Sequence, residues 1–189
     1  MRLFVAILLN DSVKSKLTKL QRRLSGQCEG VRWTKPEQLH ITAKFIGEVK
    51  DRDVPEVCSA VSRAALRSRP FEMSISGCGC FPEHGPIRIV WARIKEDSGA
   101  LHDCIDALES ELESIGYPRE RRPFSAHITL GRIRDDRSND LYRSLVDKKE
   151  LESKPQSVSS MVLISSKLAS WGPTYAVAST AKFGGTNSS

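Results

Sequence analysis

The sequence predicts an α+β protein built from two similar halves, and three observations lead to this fold class. The word His-Ile-Thr occurs twice, at residues 40–42 and 127–129, although the chain has only four histidines. Segments with strand and helix periodicity follow in the order strand, helix, strand, helix, strands, then helix, strand, helix, strands. The 189 residues contain no linker or low-complexity tract, so we expect one bilobal unit.

The first half begins with an apolar run over residues 2–9, which predicts a buried strand. The polar residues 10–12 then signal the start of a helix that Gly26 closes. The apolar residues of this helix recur at helical spacing: Val13, Leu17, Leu20 and Leu24. A second helix is predicted at residues 54–66 from the spacing of its valines and alanines.

Between these helices, the segment LHITAKFIG at residues 39–47 alternates in the way that is typical of a half-buried strand. One face would carry Ile41, Ala43 and Phe45. The other face would carry His40, Thr42 and Lys44.

The middle of the chain predicts two strands and the clearest helix. The strands, at residues 71–76 and 87–94, flank a turn rich in glycine and proline, GCGCFPEHGP. The helix has apolar residues at helical spacing from Leu101 to Ile115, and Gly116 closes it.

The second His-Ile-Thr word lies in a predicted strand, AHITLGRI, at residues 126–133. A short helix is predicted near residues 140–146, followed by strands at residues 158–166 and 174–183. The tail GGTNSS is expected to be disordered.

The charge of the chain favours acidic partners. The formal net charge is +6, which makes nucleic acid the first candidate. Six arginines crowd around the second His-Ile-Thr word: Arg119, Arg121, Arg122, Arg132, Arg134 and Arg137. Those on the preceding loop, at residues 119–122, would contact a nucleic-acid backbone or lie in solvent.

The five cysteines are odd in number and irregularly spaced, which predicts the reducing cytoplasm rather than a disulfide framework. Cys78, Cys80 and His84 allow a zinc site as an alternative, although paired ligand sets are missing. The apolar start of the chain is too short for a signal peptide and lacks a small-residue cleavage site. No stretch approaches the length of a membrane span.

The two His-Ile-Thr words place functional groups on shared faces. Side chains at positions i and i+2 of a strand point the same way, so His40 lies beside Thr42, and His127 beside Thr129. Imidazole titrates near neutral pH, so one ring can act as a base while the other acts as an acid. Threonine hydroxyls donate to phosphate oxygens without adding negative charge. These groups suit in-line displacement at a phosphodiester and need no metal.

A structural role is the alternative for each histidine, since a strand histidine is more often a satisfied structural residue than a catalyst. His84, in a turn, and His102, beside the apolar stripe of a helix, are predicted to be structural. The tryptophans are predicted to be core or rim residues: Trp33, Trp91 and Trp171.

Arg132 poses a question of strand parity. It lies five residues after His127, so on a regular strand it would face away from the histidine. Gly131 permits a bulge or bend that turns Arg132 inward. The alternative is a surface arginine at the end of the strand.

These motifs resemble a known family, the two-histidine phosphoesterases, and among them the RNA 2',3'-cyclic phosphodiesterases, first described as 2'-5' RNA ligases. That family carries two His-x-Thr motifs, the first followed by Phe-x-Gly and the second by an arginine. Here they read HITAKFIG and HITLGR. The resemblance covers nearly the whole chain, through RLFVAI, VRWTKPEQLHITAKFIGEV, CFPEHGPIRIVWARI, RPFSAHITLGRI and LISSKLASWGPTY. It departs at Ala43, where leucine is usual, and at Ala126, where proline is common.

The resemblance implies a bilobal α+β fold, with antiparallel sheets lining a central cleft and helices outside. It implies an enzyme that opens a terminal 2',3'-cyclic phosphate on RNA to a 2'-phosphate without a cofactor. His40 would then be the general acid for the departing 3' oxygen, and His127 the general base that activates water. Thr42, Thr129 and Arg132 would hold the phosphate. The reverse reaction would join a 5'-hydroxyl in a 2'-5' linkage.

We expect residues 1–184 to form one bilobal catalytic domain and residues 185–189 a disordered tail. The expected partner is RNA with a 2',3'-cyclic phosphate end, with tRNA fragments among the candidates. A monomer that binds no membrane is expected. Two alternatives stay open: a relative that acts with the same residues on a small cyclic nucleotide or ADP-ribose cyclic phosphate, and a non-catalytic RNA-binding module.

Overall fold

The structure is a computed structural model that describes residues 1–26, 30–133, 151–169 and 172–185. Its strands in these ranges are β1 (Arg2–Leu8), β2 (Val31–Trp33), β3 (His40–Glu48), β4 (Phe71–Phe81), β5 (Ile89–Lys95), β6 (His127–Ile133), β7 (Gln156–Val158), β8 (Ser160–Ala169) and β9 (Gly172–Lys182). Its α-helices are α1 (Asp11–Ser25), α2 (Val54–Leu66) and α3 (Ala100–Glu113).

The strands form one antiparallel sheet in the order β7-β4-β5-β6-β3-β1-β8-β9, and β2 pairs with β6 beside this path. The order contains two related halves, because exchanging β6 with β3, β5 with β1, β4 with β8 and β7 with β9 reverses it. The halves meet where Ile41 of β3 pairs with Ile128 of β6. The predicted α+β fold with two related lobes is therefore confirmed, and the sheets of the lobes are joined into one.

Helices and sheet enclose one large hydrophobic core. Helix α1 contributes Leu17, Leu20 and Leu24, all fully buried. Burying one such side chain stabilises the fold by about 1.5–3 kcal/mol, so the apolar stripes attach the helices to the sheet. A smaller apolar cluster lies on the other face of β1 and β8 and consists of Phe4, Ala6, Val162 and Ile164.

The helix boundaries follow from the predicted signals. The side-chain oxygen of Asn10 accepts a hydrogen bond from the N–H of Val13 at 2.8 Å, which caps the start of α1. At its end, the N–H of Gly26 donates to the carbonyl oxygen of Arg22 at 3.2 Å. Gly116, after α3, adopts a φ of 94°, which only glycine takes without strain, so the helix stops there.

The first half of the segment predicted as a turn before residue 87 is strand, because β4 continues to Phe81. The reason lies at Gly79, where a Cβ atom would lie 2.2 Å from the ring of Trp91 on β5. The glycine makes room for a ring that lies across the strand, so it marks a close approach and not a turn. The short strands β2 and β7 are missed by the sequence prediction, since three residues show no periodicity.

Two predictions concern segments at the ends of the described ranges. The short helix predicted near residues 140–146 lies outside the described residues. In the segment GGTNSS, the N–H groups of Gly184 and Gly185 donate to the carbonyl oxygens of Ala65 at 3.1 Å and Ser68 at 3.0 Å. These bonds attach the beginning of the segment to the end of α2. No helix in the described ranges is long and apolar enough to cross a membrane.

Candidate active site

The two His-Ile-Thr words lie side by side on adjacent antiparallel strands. Their central isoleucines pair with each other, and both are 0 % exposed on the core side of the sheet. The flanking histidines and threonines are half-buried on the opposite side, as the alternation predicts. This register sets His40 across from Thr129, and Thr42 across from His127. We call the side of the sheet that bears these four side chains the cleft face.

Both histidines are held through the same ring atom. Nδ1 of His40 lies 2.6 Å from the carbonyl oxygen of Gln38, and Nδ1 of His127 lies 2.8 Å from that of Ser125. A carbonyl oxygen only accepts, so Nδ1 of each ring carries a proton and donates. The lone pair of each neutral imidazole therefore resides on Nε2. In His40 this atom is 3.1 Å from the hydroxyl oxygen of Thr42.

Two aromatic side chains pack against the half-buried ring of His40. Its ring centroid lies 5.1 Å from that of Phe4 and 5.8 Å from that of Tyr175. Burial lowers the pKa of His40, the hydrogen bond to the backbone carbonyl raises it in part, and the charge of His127 lowers it further. The pair of imidazoles therefore holds one proton more readily than two.

A second aromatic group flanks His127. The rings of Phe81 and Trp91 stack at 4.9 Å, and their centroids lie 5.5 Å and 6.4 Å from that of His127. Trp91 pairs with Thr129, which places it on the cleft face. Trp91 is half-buried, which fits the predicted rim position, and its ring lies beside His127. Its Nε1 is buried and has no hydrogen-bond partner among the described residues.

Matched bulges in β3 and β6 bring one more side chain from each strand to the cleft face. The extra residues are Ala43 in β3 and Leu130 in β6, each three positions after its histidine. Each bulge reverses the alternation beyond it. Phe45 and Arg132, both five positions after a histidine, therefore turn to the cleft side, and both are exposed. The bulge predicted near Gly131 is confirmed.

The bulge in β3 makes two sequence predictions wrong, because Phe45 is exposed and Lys44 is buried. Lys44 is 3 % exposed, and its Nζ donates to Oε2 of Glu109 on α3 at 2.5 Å and to the carbonyl oxygen of Pro118 at 2.8 Å. The N–H of Glu120 donates to the same carboxylate oxygen at 3.3 Å. This ion pair links the strand of the first motif to the loop that leads to the second.

The arginines near the second motif differ in their contacts. Arg119 donates to the carboxylate of Glu113 at 3.1 Å and to the hydroxyl of Ser110 at 2.6 Å, so it is attached to α3. Two more on the same loop are exposed: Arg121 and Arg122. Two others lie outside the described residues: Arg134 and Arg137.

Arg132 lies in a cationic part of the cleft face. Arg32 of β2 is its direct partner in the sheet. Burial raises the pKa of the Tyr175 phenol, and the positive charges of Arg132, Arg2 and Arg32 oppose that rise. Because Tyr175 contacts His40, these arginines place positive charge on the His40 side of the cleft. An anion such as phosphate suits this position.

The aromatic lining of the cleft is what the sequence prediction missed: Phe4, Phe45, Phe81, Trp91 and Tyr175. Phe4 lies in a strand that is apolar on both faces, so no alternation marks the side to which it points. Trp91 alternates with buried residues and shares a face with Arg93 and Lys95, which marks its side of the sheet but not its contact with His127. The Phe-x-Gly that follows the first motif is a further signal. It identifies Phe45 only when the bulge is known.

The structure also bears on the zinc alternative. Within the described parts of the chain, no three His, Cys, Asp or Glu side chains are close enough to hold a metal ion. Cys78, Cys80 and His84 therefore do not form a zinc site. His102 lies on the exposed side of α3, where its ring contacts Phe124 at 6.0 Å.

One surface cavity lies away from the histidines. It has a volume of about 590 Å³ and runs beside the start of β4 and residues 95–98. Several of its charged groups bind one another or the backbone: Lys95 lies 3.4 Å from Asp97, and Arg69 donates to the carbonyl oxygen of Ser98 at 2.9 Å. This cavity does not contain the paired histidines. The candidate active site is therefore identified by its side chains and not by the volume of a cavity.

Comparison with known proteins points to one group. Residues 7–91 match the family described as LigT like Phosphoesterase. Two relatives are named RNA 2',3'-cyclic phosphodiesterase. The protein of Archaeoglobus fulgidus is 36% identical over 153 residues, which cover 81% of this chain and 83% of that protein. The protein of Methanothermobacter thermautotrophicus is 30% identical over 175 residues, which cover 92% and 94%.

Solved structures agree with the fold. The crystal structure of a Thermus thermophilus protein superposes with a TM-score of 0.83 at 26% identity and covers 98% of this chain and 99% of that one. The crystal structure of E. coli LigT complexed with 3'-AMP gives a TM-score of 0.77 at 22% identity, with coverage of 96% and 97%. At that identity, the second comparison supports the fold alone.

Proposed function

This chain belongs to the LigT-like phosphoesterase family, and from that premise we propose that it hydrolyses the 2',3'-cyclic phosphate at the 3' end of RNA to a 2'-phosphate. The observation that carries the proposal is the matched attachment of the two imidazoles. Each is held at Nδ1 by a backbone carbonyl, so each presents Nε2 for proton transfer. Two such groups beside one phosphate are sufficient for general acid–base catalysis.

The reaction needs one base and one acid. Nε2 of His127 accepts a proton from water as the water oxygen attacks phosphorus. The bond from phosphorus to the 3' oxygen breaks, and Nε2–H of His40 donates its proton to that oxygen. The products are a 2'-phosphate monoester and a free 3'-hydroxyl. His127 is then protonated and His40 neutral, and exchange with solvent restores the starting state.

The direction of the Thr42 hydrogen bond changes with the protonation of His40. With neutral His40, the Thr42 hydroxyl donates to Nε2, 3.1 Å away. With protonated His40, Nε2 is a donor, and the hydroxyl proton is released for a phosphate oxygen. The acid form of His40 and the phosphate-binding form of Thr42 therefore occur together. Thr129, across from His40, supplies a second hydroxyl.

The phosphate charge is balanced from the same side of the cleft. Arg132 faces the cleft beyond the bulge in β6 and is exposed. Its guanidinium donates to the non-bridging oxygens, for which its planar fork is suited. The negative charge of the phosphate in turn favours the protonated form of His40, which burial disfavours in the empty cleft.

The aromatic walls serve the ribose and base that carry the phosphate. Phe4 and Tyr175 flank His40, and Phe81 and Trp91 flank His127. Such walls exclude water, which strengthens each charge interaction at the phosphate.

We assign residues 1–184 to one catalytic domain that acts as a monomer, with tRNA fragments among its substrates. Run in reverse, the same steps join a 5'-hydroxyl to the cyclic phosphate in a 2'-5' linkage.

The test is incubation with a short RNA that ends in a 2',3'-cyclic phosphate, followed by separation of the 2'- and 3'-phosphate products. We expect the 2'-phosphate, no loss of turnover in EDTA, and only a small residual turnover from His40→Ala or His127→Ala. Formation of the 3'-phosphate, or a requirement for added metal, would contradict the mechanism. RNA binding without turnover would favour the non-catalytic module.

A parallel assay with ADP-ribose cyclic phosphate and a nucleoside 2',3'-cyclic phosphate identifies the substrate class. The proposal expects the RNA to give the highest kcat/KM, because only RNA adds a chain of phosphodiesters long enough to reach basic residues outside the cleft. A higher kcat/KM for either small substrate would assign the protein to that alternative.

A further inference from the structure

Helix α1 bears most of the excess positive charge of the molecule. Its apolar residues are buried against the sheet, and its cations lie on the remaining surface: Lys14, Lys16, Lys19, Arg22 and Arg23. Asp11 is the one acidic residue of the helix. Five cations and one carboxylate give α1 a net +4, out of +6 for the whole chain. The charge is therefore concentrated on one outer helix face, which we call the α1 basic face.

The α1 basic face differs from the other helices in its ion pairs. Arg63 of α2 and Arg67, directly after the helix, both bind the carboxylate of Glu111, at 2.7 Å and 3.1 Å, and Arg119 binds that of Glu113. None of the α1 cations has a carboxylate within 4.0 Å in the described ranges. Among the described residues, the arginines at the end of α2 and after α3 are therefore paired with carboxylates, whereas the α1 cations are not.

Folding does not account for this pattern. Lys19 lies three residues from Lys16 and Arg22 and four from Arg23, and like charges at these spacings destabilise a helix. Only the two arginines of the last turn gain from the helix dipole. Binding of a polyanion turns this repulsion between cations into a favourable interaction, because each phosphate contact neutralises a cation and releases counterions.

A buried contact fixes α1 next to the strand of the second motif. Gln21 is 5 % exposed, and its Nε2 donates to the carbonyl oxygens of Leu130 and Thr34, both at 2.8 Å. Leu130 is the bulge residue that precedes Arg132. From the end of α1 the chain leads to β2, where Arg32 pairs with Arg132. Helix α1 packs on the core side of the sheet, opposite the cleft face, so an RNA strand that leaves the cleft must pass around the sheet at β2, where Arg32 and Arg132 lie, to reach the α1 cations.

We propose that the α1 basic face binds the phosphodiester backbone of the RNA whose cyclic end occupies the cleft, with the strand passing Arg132 and Arg32 on its way to the helix. The proposal rests on the proposed function. From Lys14 to Arg23 the face extends about 14 Å, enough for more than one phosphate. The contacts are electrostatic, so they carry no base sequence and favour long substrates over single nucleotides.

The test compares two triple variants with equal loss of charge. One removes charge from the α1 basic face, Lys16→Gln, Lys19→Gln and Arg23→Gln. The control removes it from exposed lysines outside α1, Lys50→Gln, Lys154→Gln and Lys182→Gln. Each is assayed on a nucleoside 2',3'-cyclic phosphate and on a long single-stranded RNA with the same end.

We expect the α1 variant to raise KM for the long RNA about tenfold at low salt while kcat and the KM for the nucleotide stay unchanged. The dependence of log(kcat/KM) on log salt for the long RNA should become less steep by about 2, from roughly 0.7 for each of three lost contacts. Equal KM values for the long RNA in the α1 and control variants would overturn the proposal.

A binding assay separates this proposal from the proposed function. If the unaltered protein hydrolyses neither substrate, the proposed function fails. Fluorescence anisotropy with a long RNA that ends in a 3'-hydroxyl then still tests the α1 basic face. Weaker binding by the α1 variant than by the control supports the proposal, and equal binding overturns it.

Discussion

Ile41 of β3 and Ile128 of β6 form the pair at which the two halves of the sheet join. Because the pair is antiparallel, the histidine of each word faces the threonine of the other. A phosphate bound at this junction is therefore reached from both halves at once. The junction places two imidazoles and two hydroxyls around one point without any long loop.

The roles of the two histidines can be separated with a substrate whose 3' oxygen is replaced by sulfur. A thiolate leaves without a proton, so it needs no general acid. On the natural substrate, each alanine variant should lose about a hundredfold to ten-thousandfold in turnover. On the sulfur substrate, His40→Ala should approach the unaltered protein, while His127→Ala should stay impaired. If His127→Ala recovered its turnover on the sulfur substrate instead, His127 would be the general acid and His40 the general base.

The pH profile of kcat/KM should be bell-shaped, because the active form of the His40–His127 pair carries one proton. Burial and the charge of His127 lower the pKa of His40 from its ordinary value near 6.5, so the second proton binds to the pair only at more acidic pH. The acidic limb of kcat/KM should therefore lie below pH 6.5. The alkaline limb follows when the remaining proton is lost. A flat profile across this range in the chemical step would contradict a shared proton.

Titration by NMR gives an independent measurement of that coupling. His127→Ala removes one of the two causes that lower the pKa of His40, so this pKa should rise, while burial still keeps it below the ordinary value. An exchange of His84, which lies in an exposed turn, for alanine serves as the control and should leave the titration unchanged. An unchanged pKa of His40 in His127→Ala would mean that the two rings do not interact.

The buried pair of Lys44 and Glu109 should be costly to break and less costly to replace. Lys44→Met leaves the carboxylate buried without its partner, which should lower the free energy of unfolding by about 3–5 kcal/mol. Removing both charges, in Lys44→Met with Glu109→Leu, should recover much of that loss. The exposed pair of Arg63 and Glu111 is the control, and Arg63→Met should cost about 1 kcal/mol or less.

Denaturant unfolding measures these differences, and kinetics adds a second readout. The double variant should keep a lowered kcat, because the backbone groups of Pro118 and Glu120 have lost their side-chain partners. Full activity in a double variant of recovered stability would show that the pair does not position the loop before His127.

Gly79 should be sensitive to a single methyl group. Gly79→Ala places a carbon within 2.2 Å of the Trp91 ring, so the ring must leave its place beside His127. A shift of this kind should lower kcat/KM about tenfold to a hundredfold, with a change in tryptophan fluorescence. Gly26→Ala, whose nearest neighbour is 3.7 Å away, is the matched control. In a Trp91→Leu variant, Gly79→Ala should cause no further loss of kcat/KM. A further loss would contradict a clash with the Trp91 ring as the cause.

The elements that the sequence predicts correctly are those with local signals. Alternation around His40 and His127 predicts their faces, and the spacing of leucines with Asn10 and Gly26 predicts α1. These patterns depend only on neighbours along the chain. The repeated word also predicts the relation between the halves, although not that Ile41 pairs with Ile128.

What the sequence does not predict depends on the partner strand. The bulge at Ala43 arises from its register against β1, so the positions of Lys44 and Phe45 cannot be derived from β3 alone. Gly79 resembles a turn residue until Trp91 is placed opposite it. Side-chain direction beyond a bulge is a property of the sheet and not of the segment.

The matched bulges have a consequence for regioselectivity. A cleft with a true two-fold axis would accept a cyclic phosphate in either of two orientations and open it at the 2' or the 3' oxygen alike. The bulges place unlike side chains at corresponding positions, an aromatic ring at Phe45 and a guanidinium at Arg132. In one orientation of the cyclic phosphate, its anionic oxygens would face the guanidinium of Arg132. In the other orientation, they would face the ring of Phe45. We therefore expect a nearly symmetric scaffold to yield a single product isomer.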